Sequence, residues 1–100
     1  MLSIEDLINQ IKSYNPNADF DLIKKSYDYG FNAHKGQYRA SGEIYFTHPV
    51  QVAKIVIDLK LDESTVKTAL LHDTVEDTDS SLNQLEIVFG KEVSQLVDGV

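Results

Sequence analysis

The sequence predicts an all-α domain, and three observations carry that expectation. Apolar residues recur every three or four positions along nearly the whole chain. Ser3, Asp19 and Asp62 each stand just before such a stripe, where a helix start needs a side-chain acceptor. No segment shows the apolar–polar alternation of a half-buried strand. One hundred residues, 42% of them hydrophobic, give room for one small packed domain and are too apolar for disorder.

Taken in order, Ile4, Leu7, Ile8 and Ile11 form the first stripe, with Ser3 as N-cap, and "YNPNA" ends it. Phe20, Ile23, Tyr27 and Phe31 form the second, capped by Asp19. Residues 35–47 lose the period and read as a loop. Thr47 or His48 is then expected to cap a helix carrying Val52, Ile55, Val56 and Leu59, with Pro49 tolerated in its first turn. Asp62 caps the helix of Val66, Ala69 and Leu70. Leu82, Leu85 and Phe89 follow and stop at Gly90. The last stripe, Val93, Leu96, Val97 and Val100, is still running at the final residue. The expectation is about six helices in a domain cut before its later helices, with self-association through the uncovered last stripe.

A net charge of −7 disfavours an extended nucleic-acid surface, which needs clustered Lys and Arg. The chain has no Cys, hence no disulfide and no zinc–thiolate site. "MLSIEDLINQ" lacks the basic flank and apolar run of a signal peptide, and no apolar stretch approaches the roughly 20 residues of a membrane span. A cytoplasmic protein bound neither to membrane nor to nucleic acid is expected.

The segment "LLHDTVEDT", residues 70–78, places His72, Asp73, Glu76 and Asp77 directly after an apolar run. If the helix of Val66, Ala69 and Leu70 runs on, steps of three and four bring Asp73 and Asp77 to its inward face. A carboxylate there is costly to bury unless paired or bound to a metal. Adjacent His and Asp offer a nitrogen and an oxygen to one cation, a donor set suited to Mn²⁺, Fe²⁺ or Zn²⁺. Glu76 and Asp77, a turn later, suit activation of a water beside that cation. The plainer reading is a helix end decorated with acids, because an HD dipeptide alone is a weak signal. His48, in "FTHPVQVA", starts a helix from which its ring can reach across toward His72; otherwise it is a capping or surface residue. His34 continues the Phe20–Phe31 stripe and reads as a core-edge histidine with one hydrogen bond. Tyr38, Tyr45 and Phe46 either line a pocket or anchor the loop on the core. In "HKGQYRASGE", Lys35 and Arg39 supply charge, Ser41 and backbone near Gly36 and Gly42 supply donors, and Arg can stack on a nucleobase.

Three blocks, "AHKGQYRASGEIYFTHPVQVAKI", "TALLHDTVEDT" and "FGKEVSQLVDGV", in this order and spacing, resemble the hydrolase domain of the RelA/SpoT family. The resemblance covers nearly the whole chain, most clearly residues 33–100. It implies an HD-domain helical bundle that removes the 3′-pyrophosphate of ppGpp or pppGpp, giving GDP or GTP and pyrophosphate, with manganese as the usual metal. By motif, His48, His72 and Asp73 match metal ligands, and Glu76 and Asp77 match the pair that activates and orients water. Arg39 matches the arginine against the guanine, Ser41 a nearby nucleotide contact, and Lys35 adds charge for the same substrate. Ala40 stands where many members have a basic residue, and Ile44 where "SGEPY" is usual. The family's fourth ligand is an Asp in a later, "ADRLHN"-like motif, which residues 1–100 do not contain. Nor do they contain a synthetase domain. The expectation is therefore weak or absent hydrolysis in this chain. The alternatives are an inactive remnant acting as a binding module and an HD hydrolase of another phosphorylated metabolite.

Overall fold

Ser3 begins the first helix by accepting from Asp6 N–H, while the Asp6 carboxylate returns to Ser3 N–H, so two otherwise unpaired donors are satisfied. The same logic recurs along the computed structural model, which describes residues 1–100. Its helices are α1 (Ile4–Lys12), α2 (Phe20–Ala33), α3 (Thr47–Asp58), α4 (Glu63–Leu71), the single turn α5 (Thr74–Asp77), α6 (Leu82–Phe89) and α7 (Lys91–Asp98). Asp19 caps α2 through Leu22 N–H, and Ser81 caps α6 with a reciprocal bond from Gln84. The loop between α2 and α3 contains one isolated antiparallel bridge, Tyr38 to Ile44, and no strand forms. No helix is long and apolar enough to cross a membrane.

Helix α4 is the centre, packed against α2, α3 and α7. Val66 and Leu70 are fully buried with Leu7, Ile11, Ile23 and Phe46 in the main core. Each large apolar side chain so buried contributes about 1.5–3 kcal/mol. Leu71 instead joins Leu85, Phe89, Val93 and Val97 in a second cluster under α6 and α7. Leu96 and Val100 of the last stripe remain exposed, at 40% and 74%.

The expected stripe of α3 is displaced. Pro49, Val50, Ala53 and Ile57 face the core, whereas Ile55 and Leu59 are 60% and 65% exposed and Val52 and Val56 pack only at its edge. The helix is apolar on two faces, and the face presented to α4 is the one that continues from Phe46. Neither Thr47 nor His48 caps it. Phe46 is the N-cap residue and makes no side-chain bond. Instead Thr47 N–H bonds to Ile44 O and His48 N–H to Tyr45 O, so a backbone turn satisfies the helix start and releases the His48 ring.

Asp62, the cap of α4, accepts from Thr65 N–H at 2.9 Å and Thr65 Oγ1 at 2.6 Å. The Thr65 hydroxyl and then its N–H hold the Asp62 carboxyl below its ordinary pKa. Stability from the ionised cap is present above the unfolded-state value of about 3.9 and is lost as pH falls through the lower folded value. Asp62→Ala should cost about 0.5–2 kcal/mol in urea unfolding at neutral pH. The gap to wild type should shrink below about pH 4.

Candidate metal centre

Helix α4 does not run on through residues 72–77 as the periodicity suggests. It ends at Leu71, and His72 and Asp73 form a turn before α5. Side chains take over the carbonyls that a longer helix would use internally: His72 Nδ1 bonds to Ala69 O at 2.7 Å, and Thr74 Oγ1 to Leu71 O at 2.8 Å. The break changes which residues share a face. Asp73 is partly buried, whereas Glu76 and Asp77 are exposed.

The turn points His72 and Asp73 at the first turn of α3. The His48 and His72 ring centroids are 5.6 Å apart, and one ligand atom each from His48, His72 and Asp73 lies within 4.8 Å of the others. Asp73 Oδ2 is 3.1 Å from His72 Nε2 and 3.8 Å from His48 Nε2. The chemistry of this group fits a cation. Ala69 O can only accept, so His72 Nδ1 carries the proton and Nε2 of a neutral ring presents its lone pair to a carboxylate oxygen. A proton on Nε2, giving a His72–Asp73 ion pair, and a bound cation would each satisfy that contact. An N₂O donor set from two imidazoles and a carboxylate suits a divalent first-row metal.

Tyr45 and Gln37 also belong to the site, and sequence reading missed both roles. Tyr45 Oη donates to Asp73 Oδ2 at 2.7 Å. Burial first, then the hydrogen bonds and charges of Asp73 and Asp77, push the Tyr45 hydroxyl well above its ordinary pKa, so it remains a donor. Gln37 Nε2 donates to the Asp77 carbonyl at 2.6 Å. The only local hint was that Tyr45 precedes His48 by one turn. Phe46 anchors the loop: it is 2% exposed and meets Tyr27 edge-to-face at 5.1 Å. His34 is buried and makes one hydrogen bond, from Nδ1 to Gln37 Oε1.

Lys35, Arg39 and Ser41 lie exposed on the loop. A turn shapes its tip, with Arg39 N–H bonded to Glu43 O, Gly42 N–H bonded to Arg39 O, and Gly42 at a φ of 92°. The largest surface cleft, about 690 Å³, lies between the N-terminus and α3, and none of His48, His72 and Asp73 lines it.

Residues 26–100 match the family model described as HD domain. The chain is 51% identical over 90 residues to a GTP pyrophosphokinase of Myxococcus xanthus, a match covering 90% of this chain and 12% of that protein. It is 44% identical over all 100 residues to the bifunctional (p)ppGpp synthase/hydrolase SpoT of Escherichia coli K12, covering 14% of it. It thus spans about one eighth of the length of such curated relatives. Among solved structures it resembles a metazoan ortholog of SpoT described as hydrolysing ppGpp. That match has a TM-score of 0.75 and 34% identity, covering 79% of this chain and 47% of the other.

Proposed function

The chain belongs to the HD-domain family, in the form found in RelA/SpoT-type proteins, and on that premise we propose that residues 1–100 are the N-terminal part of a manganese-dependent (p)ppGpp 3′-pyrophosphohydrolase domain. The convergence of His48, His72 and Asp73 supports this reading most directly. These three residues would hold the cation, which when bound supplies Lewis-acid charge to a water and to phosphoryl oxygens. Glu76 takes the proton from the attacking water and Asp77 orients that water. Water adds across the bond between the 3′ oxygen and its phosphorus, leaving a 3′-hydroxyl on GDP or GTP and releasing pyrophosphate. Arg39 lies against the guanine, and Ser41 and Lys35 contact the same nucleotide. The setting is the cytoplasm.

Incubation of the chain with Mn²⁺ and ppGpp tests this. The expected result is Mn²⁺ binding that His72→Ala removes, together with slow release of GDP and pyrophosphate. Binding unaffected by His72→Ala would overturn the reading. Mn²⁺-dependent ppGpp binding with no pyrophosphate released would instead select a binding module without turnover.

Arg39→Ala should weaken ppGpp binding and leave the melting temperature unchanged, because the side chain is exposed at a loop tip outside the core. A large drop in thermal stability would instead make Arg39 a structural residue.

A further inference from the structure

Asp73 lacks the support that a helix would give a ligand. It sits in the two-residue turn between α4 and α5, with φ −94° and ψ −4°, and its N-cap position makes no side-chain bond to α5. A short carboxylate on such a turn has several staggered χ1 rotamers open to it, of which one faces both histidines. The partner outside the turn that meets this carboxylate is Tyr45.

The loop before α3 makes two contacts here, one to the turn and one to the last residue of α5. Tyr45 Oη donates to Asp73 Oδ2, the oxygen nearest His72 Nε2. A hydroxyl hydrogen bond to an ionised acceptor at 2.7 Å is of the stronger, charge-assisted kind. The Tyr45 ring is in turn held, 4.8 Å from the ring of His34, which is 3% exposed. Gln37 makes the second contact. The Asp77 carbonyl can only accept, so it takes the Gln37 NH₂, and Gln37 Oε1 is left for His34 Nδ1–H at 2.9 Å. The amide orientation is thus settled by its partners. Gln37, His34 and Tyr45 form one connected support, anchored by a buried ring and touching Asp73 in the turn and Asp77 at the end of α5.

We infer that Tyr45 and Gln37 are positioning residues, a two-point clamp that orients the Asp73 carboxylate toward His48 and His72 and holds the Asp77 backbone in place. The inference about Asp73 stands on the protein geometry, and its consequence for a bound cation rests on the metal reading above. A carboxylate oxygen can accept an outer hydrogen bond on its second lone pair while it ligates a metal, and loss of such outer partners lowers metal affinity by roughly 10–100-fold.

Tyr45→Phe removes only the hydroxyl and keeps the ring against His34. In the metal-free chain, the χ1 scalar couplings of Asp73 should report one rotamer in wild type and an average in Tyr45→Phe. Mn²⁺ affinity, read from the electron paramagnetic resonance of the free ion, should fall roughly 10–100-fold with little change in melting temperature. Gln37→Met, which keeps the length and loses both hydrogen bonds, should speed amide exchange at Thr78 while leaving the Asp73 couplings fixed. Unaltered Asp73 couplings in Tyr45→Phe overturn the clamp whether or not Mn²⁺ binds. Averaged couplings with unchanged Mn²⁺ affinity overturn its role toward the ion. A wild-type chain that binds no Mn²⁺ yet shows the coupling change overturns the metal reading and upholds the positioning of Asp73.

Discussion

Asp73→Asn should abolish Mn²⁺ binding, whereas Glu76→Gln should leave binding intact and lower pyrophosphate release by about 10²–10⁴-fold. The two substitutions make the same isosteric change from carboxylate to amide, so the contrast isolates position. Asp73 supplies the only carboxylate in the cluster, and its Oδ2 faces both histidine Nε2 atoms. In the Asn variant the amide NH₂ can turn toward the His72 lone pair and satisfy it without any cation. The fold is therefore retained while the metal is lost. Glu76 is exposed on α5 and is not among the three converging ligands, so its amide should remove a proton acceptor and no coordination. Titration with Mn²⁺ followed by a pyrophosphate assay reads both effects. Equal loss of metal in the two variants would place Glu76 among the ligands.

Gly30→Ala should lower stability by about 1–3 kcal/mol, against the direction that helix propensity predicts. In an unobstructed helix interior, Ala is better than Gly by about 1 kcal/mol. Here a Cβ would stand 2.5 Å from Phe46 Cε1 and 2.6 Å from the Leu70 carbonyl oxygen. The second neighbour is backbone of α4 and cannot step aside alone. Relief requires α2 and α4 to separate, or Phe46 to leave its place in the core. Phe46 stands two residues before His48, and Leu70 two residues before His72. One added methyl therefore pushes on both arms of the His48–His72–Asp73 cluster, and on the proposed reading Mn²⁺ affinity should fall along with the melting temperature. For a domain of this size, each kcal/mol lost corresponds to about 4–8 °C. A higher melting temperature in Gly30→Ala would show that the helices yield easily at this contact.

Local chemistry determined much of this protein. Ser3, Asp19 and Asp62 start their helices because their side chains take N–H groups within three residues, a bond that needs no tertiary partner. The adjacency of His72 and Asp73 named the candidate ligands, because neighbouring residues cannot be separated by folding. The buried, singly bonded His34 followed from its place on the α2 stripe. The tertiary structure decided what periodicity leaves open. Helix α3 carries apolar residues on two faces, and only its contact with α4 selects Val50, Ala53 and Ile57 over Ile55 and Leu59. Helix α4 stops at Leu71 because the His72 and Thr74 side chains capture its last carbonyls, which turns Asp77 outward although the helical period places it inward. Tyr45 and Gln37 meet Asp73 and Asp77 across separations of 28 and 40 residues. A hydrogen bond of that span leaves no trace in local spacing, because it exists only once the helices between its partners have packed.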